Sequence, residues 1–498
     1  RDVLGSRGLG DVYKRQAVQP YSESEAGIIR NGVFAALPDA FGISLGYTND
    51  PTTFKNRSTP APSTRSMACK AQTSGRIYLH SGPRTELHEI IRQEYARHQD
   101  RAVPRNTLRQ AVQGMLDTFA YQNFDAAAGE YTNRCCRPPR ETEMRPWRLV
   151  TEIGWTGGGV LAYPLVLCRD ALGADAETPL AAAMSGEQLF DRIADAYNEN
   201  SGLLNDLMAP NAAGSQVNGW WTGYGLVKDC HCAYTVGSAV HYLTKTMDYL
   251  HQNGKPCPAK WMDAAQKVLH TVMDLQRADG AFGYTYSTQE RKVLDWSGFA
   301  GCWFAPALVY LYRLTGEERC LHSAEKALDY YHTFVKDLNC YGTPMDTWKA
   351  VDEEGNLAFM RGSRLLYEQT GKAEFLQYMK DSAGYEFLWR YGYKTYPEHT
   401  PLNQGWSACG GAVTSVSNPH IHPMGVIIDT DLRYLARVTG DGYYASRAAD
   451  SAAWMLQCLE LYPAATGYGS YGILSERWCP SDCLLYTSPS PRDPKTSR

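Results

Sequence analysis

The sequence predicts an α/α toroid, a ring of helical hairpins, on three observations. First, a pattern recurs: LYRLTGEERCLHSAEKALDYYHTFV from Leu311, LYEQTGKAEFLQYMKDSAGYEFLW from Leu366 and LARVTGDGYYASRAADSAAWMLQCL from Leu435 each end one helical stretch at Thr-Gly and begin another within a few residues. Self-similarity of this kind marks a repeat architecture. Second, the stretch before Thr-Gly is apolar on most sides while the one after it is amphipathic. Third, turns rich in Gly, Asp and aromatic residues follow several of the amphipathic stretches. Helices apolar all round belong inside. Each repeat therefore reads as an inner helix followed by an outer one, and about six such pairs close into a ring.

Taken in order, residues 17 to 85 depart from the pattern. They hold a candidate helix in IIRNGVFAALPDAF, a polar stretch around STPAPSTRS and a strand-like RIYLH, and read as an arm on the ring or the remnant of an upstream domain. The toroid is expected over residues 86 to 482. A first hairpin lies between Glu86 and Phe124, and a second runs from Trp155 through Gly173 to Asn200. In MDYLHQNGKPCPAKWMDAAQKVLHTVM, Gly254 takes the place of Gly316, Gly371 and Gly440, at successive spacings of 62, 55 and 69 residues. Glycine suits these positions because a helix C-terminus wants a left-handed residue there. Inner helices are read in GWTGGGVLAYPLVLCRDAL from Gly154 and GFAGCWFAPALVYLYRL from Gly298. Leu321, Ala324, Leu328, Tyr331 and Phe334, spaced by three and four, give an outer helix its core face. The turns SGLLND at Ser201, DGAFGY at Asp279, CYGTPMDTW at Cys340 and TGYGSYG at Thr466 return the chain to the next inner helix. These turns gather at one end of the ring, and loops on a rigid scaffold are where function usually sits.

The 498 residues carry a formal charge of −4. Ser6 to Gln16 and Cys483 to Arg492 can be encoded by opposite strands of one duplex, which resembles translated read-through of a sequencing adapter. Setting residues 1–16 and 483–498 aside leaves 42 basic and 50 acidic residues over 466, a charge of −8. An acidic chain without a basic cluster argues against nucleic acid as a partner, because phosphate binding concentrates Lys and Arg on one face. No run of about 18 apolar residues signals a membrane span. Cys168, Cys302 and Cys458 sit in apolar helical patterns, where a free thiol packs as a small hydrophobe. Localisation and oligomeric state are not readable.

Hairpin repeats of this size, with aromatic and carboxylate residues in the loops before inner helices, resemble the six-hairpin glycosidase superfamily over roughly residues 86 to 475. The resemblance is one of repeat architecture. It implies a cleft at the inner-helix end that acts on an oligo- or polysaccharide, by hydrolysis or, as in toroidal polysaccharide lyases, by elimination. A shared fold does not fix the reaction.

Sugar clefts need flat apolar surfaces and polar groups for hydroxyls. The loops supply Trp155, the pair Trp220 and Trp221, Trp296, Trp348, Trp406 and Glu476-Arg477-Trp478, against the plainer reading that each Trp fills the core. Glycoside hydrolysis uses two carboxyl groups, one protonated and one ionised. Asp295 in DWSGFAGCWF leads the candidates because it stands at the mouth of an inner helix beside an aromatic. Glu152 in TEIGWTGGG and Asp229 in KDCHCAY occupy comparable places, with Asp346 and Asp429 in reserve. The competing role for each is stabilisation of a helix N-terminus. Carboxylates within outer helices, such as Glu325 and Asp450, read as solvated surface. SNPHIHPMG sets Asn418, His420 and His422 in a Pro-bounded extended segment that suits substrate contact or proton transfer. A metal pair there lacks a third ligand, and Cys230-His231-Cys232 and Cys135-Cys136 lack the CxxC spacing of a zinc site, so no metal and no cofactor is expected. A hydrolase is the leading reading. A lyase would use Asn418 and His420 with a Tyr base. A sugar epimerase with central histidines and a non-catalytic glycan-binding ring complete the alternatives.

Overall fold

The computed structural model describes residues 16–19, 32–37, 40–45, 76–79, 81–83, 86–98, 101–119, 124–125, 130–131, 153–154, 158–172, 177–206, 218–221, 226–342, 349–393, 407–415, 418–461, 472 and 474. Five consecutive helical hairpins dominate them. They are α3 (Gly159–Leu172) with α4 (Glu177–Asp195), α5 (Ala233–Gln252) with α6 (Ala259–Asp274), α7 (Phe304–Thr315) with α8 (Glu318–Lys336), α9 (Glu354–Thr370) with α10 (Ala373–Trp389), and α11 (Asp429–Thr439) with α12 (Gly442–Cys458). The first helix of each hairpin packs on the first helix of the next, in the order α3, α5, α7, α9, α11, and the second helices lie outside them. Two further helices, α1 (Leu87–Arg97) and α2 (Leu108–Asp117), join the outer layer. α1 packs on α10, and α2 sits beside α4 with Ala111 and Met115 against Leu456, Leu459 and Leu461 at the end of α12. This is the α/α toroid that the repeats predict.

Burial separates the two layers. α9 buries 12 of its 17 residues, Asn356 and Arg361 included, whereas α8 buries eight of 19, among them Cys320, Ala324, Ala327, Leu328 and Tyr331 on one stripe. The inner helices approach closely because small residues stand at the crossings. A Cβ on Gly159 of α3 would lie 2.7 Å from the Tyr242 Cβ of α5, one on Gly154 in the turn before α3 would lie 1.9 Å from the Thr235 carbonyl oxygen of α5, and one on Gly237 of α5 would meet the Trp303 Cβ, just before α7, at 2.7 Å.

The recurring Thr-Gly is a helix cap built three times over. In the left-handed region stand Gly316 (φ 73°), Gly371 (φ 66°) and Gly440 (φ 71°), each with open space where a Cβ would be, so backbone conformation alone requires glycine. The threonine before each one donates its hydroxyl back one turn, Thr315 to Leu311 at 2.8 Å, Thr370 to Leu366 at 2.8 Å and Thr439 to Leu435 at 2.6 Å. The same hydroxyl accepts from the backbone N–H two residues on, at 3.2–3.3 Å. One side chain thus ends the inner helix and starts the outer one.

At the opposite end the loops entering the inner helices are joined to one another. Strands β11 (Cys230–Cys232), β12 (Thr285–Ser287) and β13 (Val293–Asp295) form an antiparallel sheet that ties the approach of α5 to that of α7. The Phe299 N–H donates to the Tyr341 carbonyl at 2.8 Å, and the Asp352 N–H to that of Cys340 at 3.0 Å, tying α7 to α9. Three two-stranded ribbons add to this rim: β7 (Tyr197–Asn198) with β8 (Leu203–Leu204), β9 (Gly219–Trp221) with β10 (Leu226–Lys228), and β14 (Ala412–Ser415) with β15 (Asn418–His422).

Two expectations are corrected. The candidate helix IIRNGVFAALPDAF contains instead β2 (Gly32–Leu37) paired with β3 (Ala40–Leu45), with Leu37 opposite Ala40. Pro38 deprives a helix of a donor just where the apolar run is interrupted, and runs this short do not distinguish strand from helix by period. RIYLH does form a strand, β4 (Arg76–Leu79), paired with β1 (Gln16–Gln19), and β5 (Phe124–Asp125) pairs with β6 (Glu130–Tyr131). Asp450 on α12 is buried rather than solvated, because α1 covers it and brings the Tyr95 hydroxyl to 2.6 Å. Glu325 on α8 pairs with Lys372 at 2.6 Å. Among the described cysteines the thiols are free, with Cys302 and Cys458 buried and Cys168 partly so. No helix among the described residues is long and apolar enough to cross a membrane.

Candidate active site

Asp295 ends β13 at the mouth of α7, where the sequence places it. Lys349 Nζ lies 2.6 Å from its Oδ2, and the Ser297 N–H donates to Oδ1 at 2.8 Å. Trp296 beside it is half-buried, with the Arg277 guanidinium 5.1 Å from its ring. Lys349, at φ 53°, also stands 4.9 Å from the centroid of the Tyr284 ring. Burial, together with the Cys232 thiol and the charges of Asp295 and Asp352, pushes the Tyr284 phenol well above the usual tyrosine range. Tyr284 therefore feels the charge of a carboxylate from the loop before α7 and of one from the loop before α9.

That second loop carries a run the sequence reading passed over, Asp352-Glu353-Glu354, where α9 begins. Asp352 and Glu353 are 0% exposed and Glu354 8%. Glu353 occupies the helix N-cap yet makes no side-chain capping bond, so the ordinary reason for an acid at this place does not account for it. Its carboxyl faces that of Glu386, and burial followed by the Glu386 charge holds it well above the usual range. Glu386 in turn receives the Arg390 Nε at 2.7 Å and the Asn356 amide at 3.2 Å. Arg390 also donates to Asp429 at 3.0 Å and to the Gly425 carbonyl. Burial pushes Asp429 up to about 7 against the pull of Arg390. On the inner side, burial and then the charge and hydrogen bond of Glu354 push the Tyr234 phenol well up. Acids stripped of water and set beside specific partners in this way are expected at sites of proton transfer. The available signal was three acids in succession at the start of an apolar helix. It was outranked by carboxylates adjacent to Trp.

The other expected residues are distributed as follows. Asp229 is exposed at φ 60° and accepts from the Asn218 amide at 2.6 Å. Trp220 is 1% exposed within the main core, while Trp221 ends β9 and is described by its backbone alone. His422 is buried opposite Ala412, and Asn418 and His420 lie on the same strand, described by their backbones. Cys230 and Cys232 are buried free thiols, and between them His231 Nε2 lies 2.9 Å from the Ser201 hydroxyl, with burial lowering the imidazole to about 4. Glu152, Trp155, Asp346, Trp348, Trp406, Glu476, Arg477 and Trp478 lie outside the described residues, as do Cys135 and Cys136. Among the described residues no group of three or more His, Cys, Asp and Glu side chains is placed to hold a metal ion.

No family profile and no curated relative matches the chain. Solved structures similar to it include a sugar epimerase from a ruminal bacterium, with a TM-score of 0.48 and 10% identity over 77% of this chain and 90% of that one. A cellobiose 2-epimerase from Spirochaeta thermophila DSM 6192 gives a TM-score of 0.49 and 11% identity over 79% and 90%. A family 76 glycoside hydrolase (mannosidase) from Bacteroides thetaiotaomicron VPI-5482 gives 0.42 and 15% over 68% and 84%. These likenesses assign no reaction to this chain.

Proposed function

We propose that this ring hydrolyses a glycosidic bond of an oligo- or polysaccharide, with Asp295 and Glu354 as its carboxyl pair. The observation that carries the reading is the contact of Lys349 with Asp295, at 2.6 Å, and with the Tyr284 ring, at 4.9 Å, at the mouth of α7, where the charges of both Asp295 and Asp352 act on the Tyr284 phenol. Asp295, ion-paired with Lys349, serves as the ionised partner, base or nucleophile. Glu354 is the most exposed residue of the run Asp352-Glu353-Glu354 and serves as the acid that protonates the leaving oxygen. Trp296, stiffened by Arg277, offers a flat face at the same mouth for a pyranose ring. This chemistry needs no cofactor.

The test is release of reducing ends from a panel of neutral and acidic oligosaccharides. The wild type is expected to turn over at least one of them, and Asp295→Asn and Glu354→Gln are each expected to abolish turnover with circular dichroism unchanged. Near-normal rates in either variant would remove that residue from the pair. An unsaturated product absorbing in the near ultraviolet would replace hydrolysis by elimination, and interconversion of sugar isomers without bond cleavage would replace it by epimerisation.

A further inference from the structure

About halfway along the inner helices, the ring interior holds a group of side chains that the mouth carboxylates leave unused. The Tyr163 ring of α3 lies 6.1 Å from that of Tyr242 of α5, the neighbouring His241 lies 5.7 Å from Tyr310 of α7, and the charge of Arg361 of α9 acts on all three phenols, so four successive inner helices meet here. Arg361 is fixed by α11. Its Nε donates to both carboxylate oxygens of Asp431 at 2.8 and 2.9 Å, and Nη2 donates to the Ile427 carbonyl at 3.1 Å. Arg364 adds a bond to Asp431 at 3.1 Å, so this carboxylate already answers two guanidinium groups.

Lys245 of α5 reaches into the same space without a carboxylate of its own. Its Nζ stands 4.1 Å from the centroid of the Tyr163 ring and 5.5 Å from that of Tyr242, and among the described residues it forms no ion pair. Arg364 also pairs with Glu368 at 2.8 Å, so Arg361 and Arg364 are matched by Asp431 and Glu368, and Lys245 is the cation left over in a setting where charges are weakly screened. Burial, and after it the charge of Arg361, holds the Lys245 amine well below the usual lysine range, with Asp431 acting in the opposite sense. The place is continuous with the mouth. Trp303 is 5.4 Å from Tyr234 and 5.9 Å from His241, and His241 is 4.8 Å from Tyr242, centroid to centroid, while the Tyr234 phenol bonds Glu354. A chain of ring contacts therefore links Glu354 at the acidic mouth to the neighbourhood of Lys245.

We propose that Lys245 pairs with the anionic group of a saccharide, so that the ring takes an acidic sugar, a uronate or a sugar phosphate, charged end innermost. The orientation of the saccharide rests on the hydrolase reading, whereas the charge recognition does not. A buried group built to pair with a ligand group rejects the analogue that lacks it, because the partner is then left without its counterpart.

Calorimetry on the full chain with glucuronic acid, glucose 6-phosphate and glucose tests this. At least one acidic sugar is expected to bind about tenfold or more tightly than glucose, and which of the two does so identifies the anion. Lys245→Met keeps the stem and removes the charge; it is expected to equalise the acidic sugar and glucose without lowering the thermal midpoint. Equal binding of all three sugars by the wild type, or a preference that survives in Lys245→Met, would overturn the proposal. Should that variant not fold, reductive methylation of the wild type reads the same contact. Protection of Lys245 by the acidic sugar and not by glucose supports the proposal, and equal labelling in every case overturns it. Charge-dependent binding with no cleavage of any glycan would sink the hydrolase reading alone.

Discussion

The carboxyl groups of Glu353 and Glu386 face one another within the ring wall, and a single guanidinium, that of Arg390, bonds both Glu386 and Asp429. Three carboxyls around one arginine cannot all stay ionised out of water, so the cluster keeps protons. Glu353 is the one that burial, and then Glu386, push well up, and Gln is a near match for a protonated glutamate. Glu353→Gln is expected to leave the urea midpoint unchanged or raised. Arg390→Met, which strands two buried carboxylates, is expected to cost about 3–5 kcal/mol. A loss from Glu353→Gln as large as that from Arg390→Met would mean that Glu353 is ionised in the fold.

Stability is expected to fall as pH rises toward neutrality. Asp429 titrates near 7 in the fold, against an ordinary value of 3.8, so between those values the native chain holds a proton that the unfolded chain has released. Its contribution is complete below about pH 4 and lost as pH passes through 7, an effect on the order of a few kcal/mol. Urea midpoints from pH 5 to 8 should show the slope, and Asp429→Asn should flatten it. A midpoint equally sloped in that variant would assign the effect elsewhere.

The same substitution should act differently at two glycines. Gly371→Ala meets no neighbour within 4 Å, so its cost is that of a left-handed residue with a Cβ, about 1–2 kcal/mol. Gly154→Ala would drive its Cβ to 1.9 Å from the Thr235 carbonyl and must push the turn that leads into α3 away from α5. It is expected to lower the thermal midpoint by several times as much. Equal losses would place the inner-helix contact elsewhere.

Lys349→Met separates catalytic from structural value. The Lys349–Asp295 pair is partly exposed, at 21% and 31% of the side chains, and pairs of this kind contribute at most about 1 kcal/mol. The expected result is a large drop in kcat for the glycan that the wild type cleaves, with the thermal midpoint nearly constant. Unchanged kcat would leave Lys349 a structural tie between two loops.

The hairpins were legible because their signal is local. A Thr-Gly that caps one helix and starts the next repeats in sequence just as it repeats in space, and the apolar faces of α7 and α8 can be counted from spacing alone. Of the proposed pair, Asp295 could be singled out in the sequence because its loop precedes an inner helix and carries Trp296. Asp352-Glu353-Glu354 could not, since what distinguishes these acids is the loss of water and the proximity of Glu386, Tyr234 and Arg390, all distant in the chain. Lys245 escaped notice for the same reason: in a one-dimensional reading it is a charged residue on an apolar helix, and its lack of a counter-ion appears once four helices surround it. Asp450 was misread because the helix that covers it, α1, lies some 350 residues away.

The two ends of the ring are fastened by different means. At the Thr-Gly end each cap is completed by neighbouring residues, so Gly254, Gly316, Gly371 and Gly440 are four places where the chain could be opened, lengthened or tethered to a surface one hairpin at a time. At the other end, loops hold one another through β11–β12–β13 and the Phe299–Tyr341 bond, so a changed length in one displaces its neighbours. New termini or attachment points for this protein belong on the capped face, with the stitched face left as a unit.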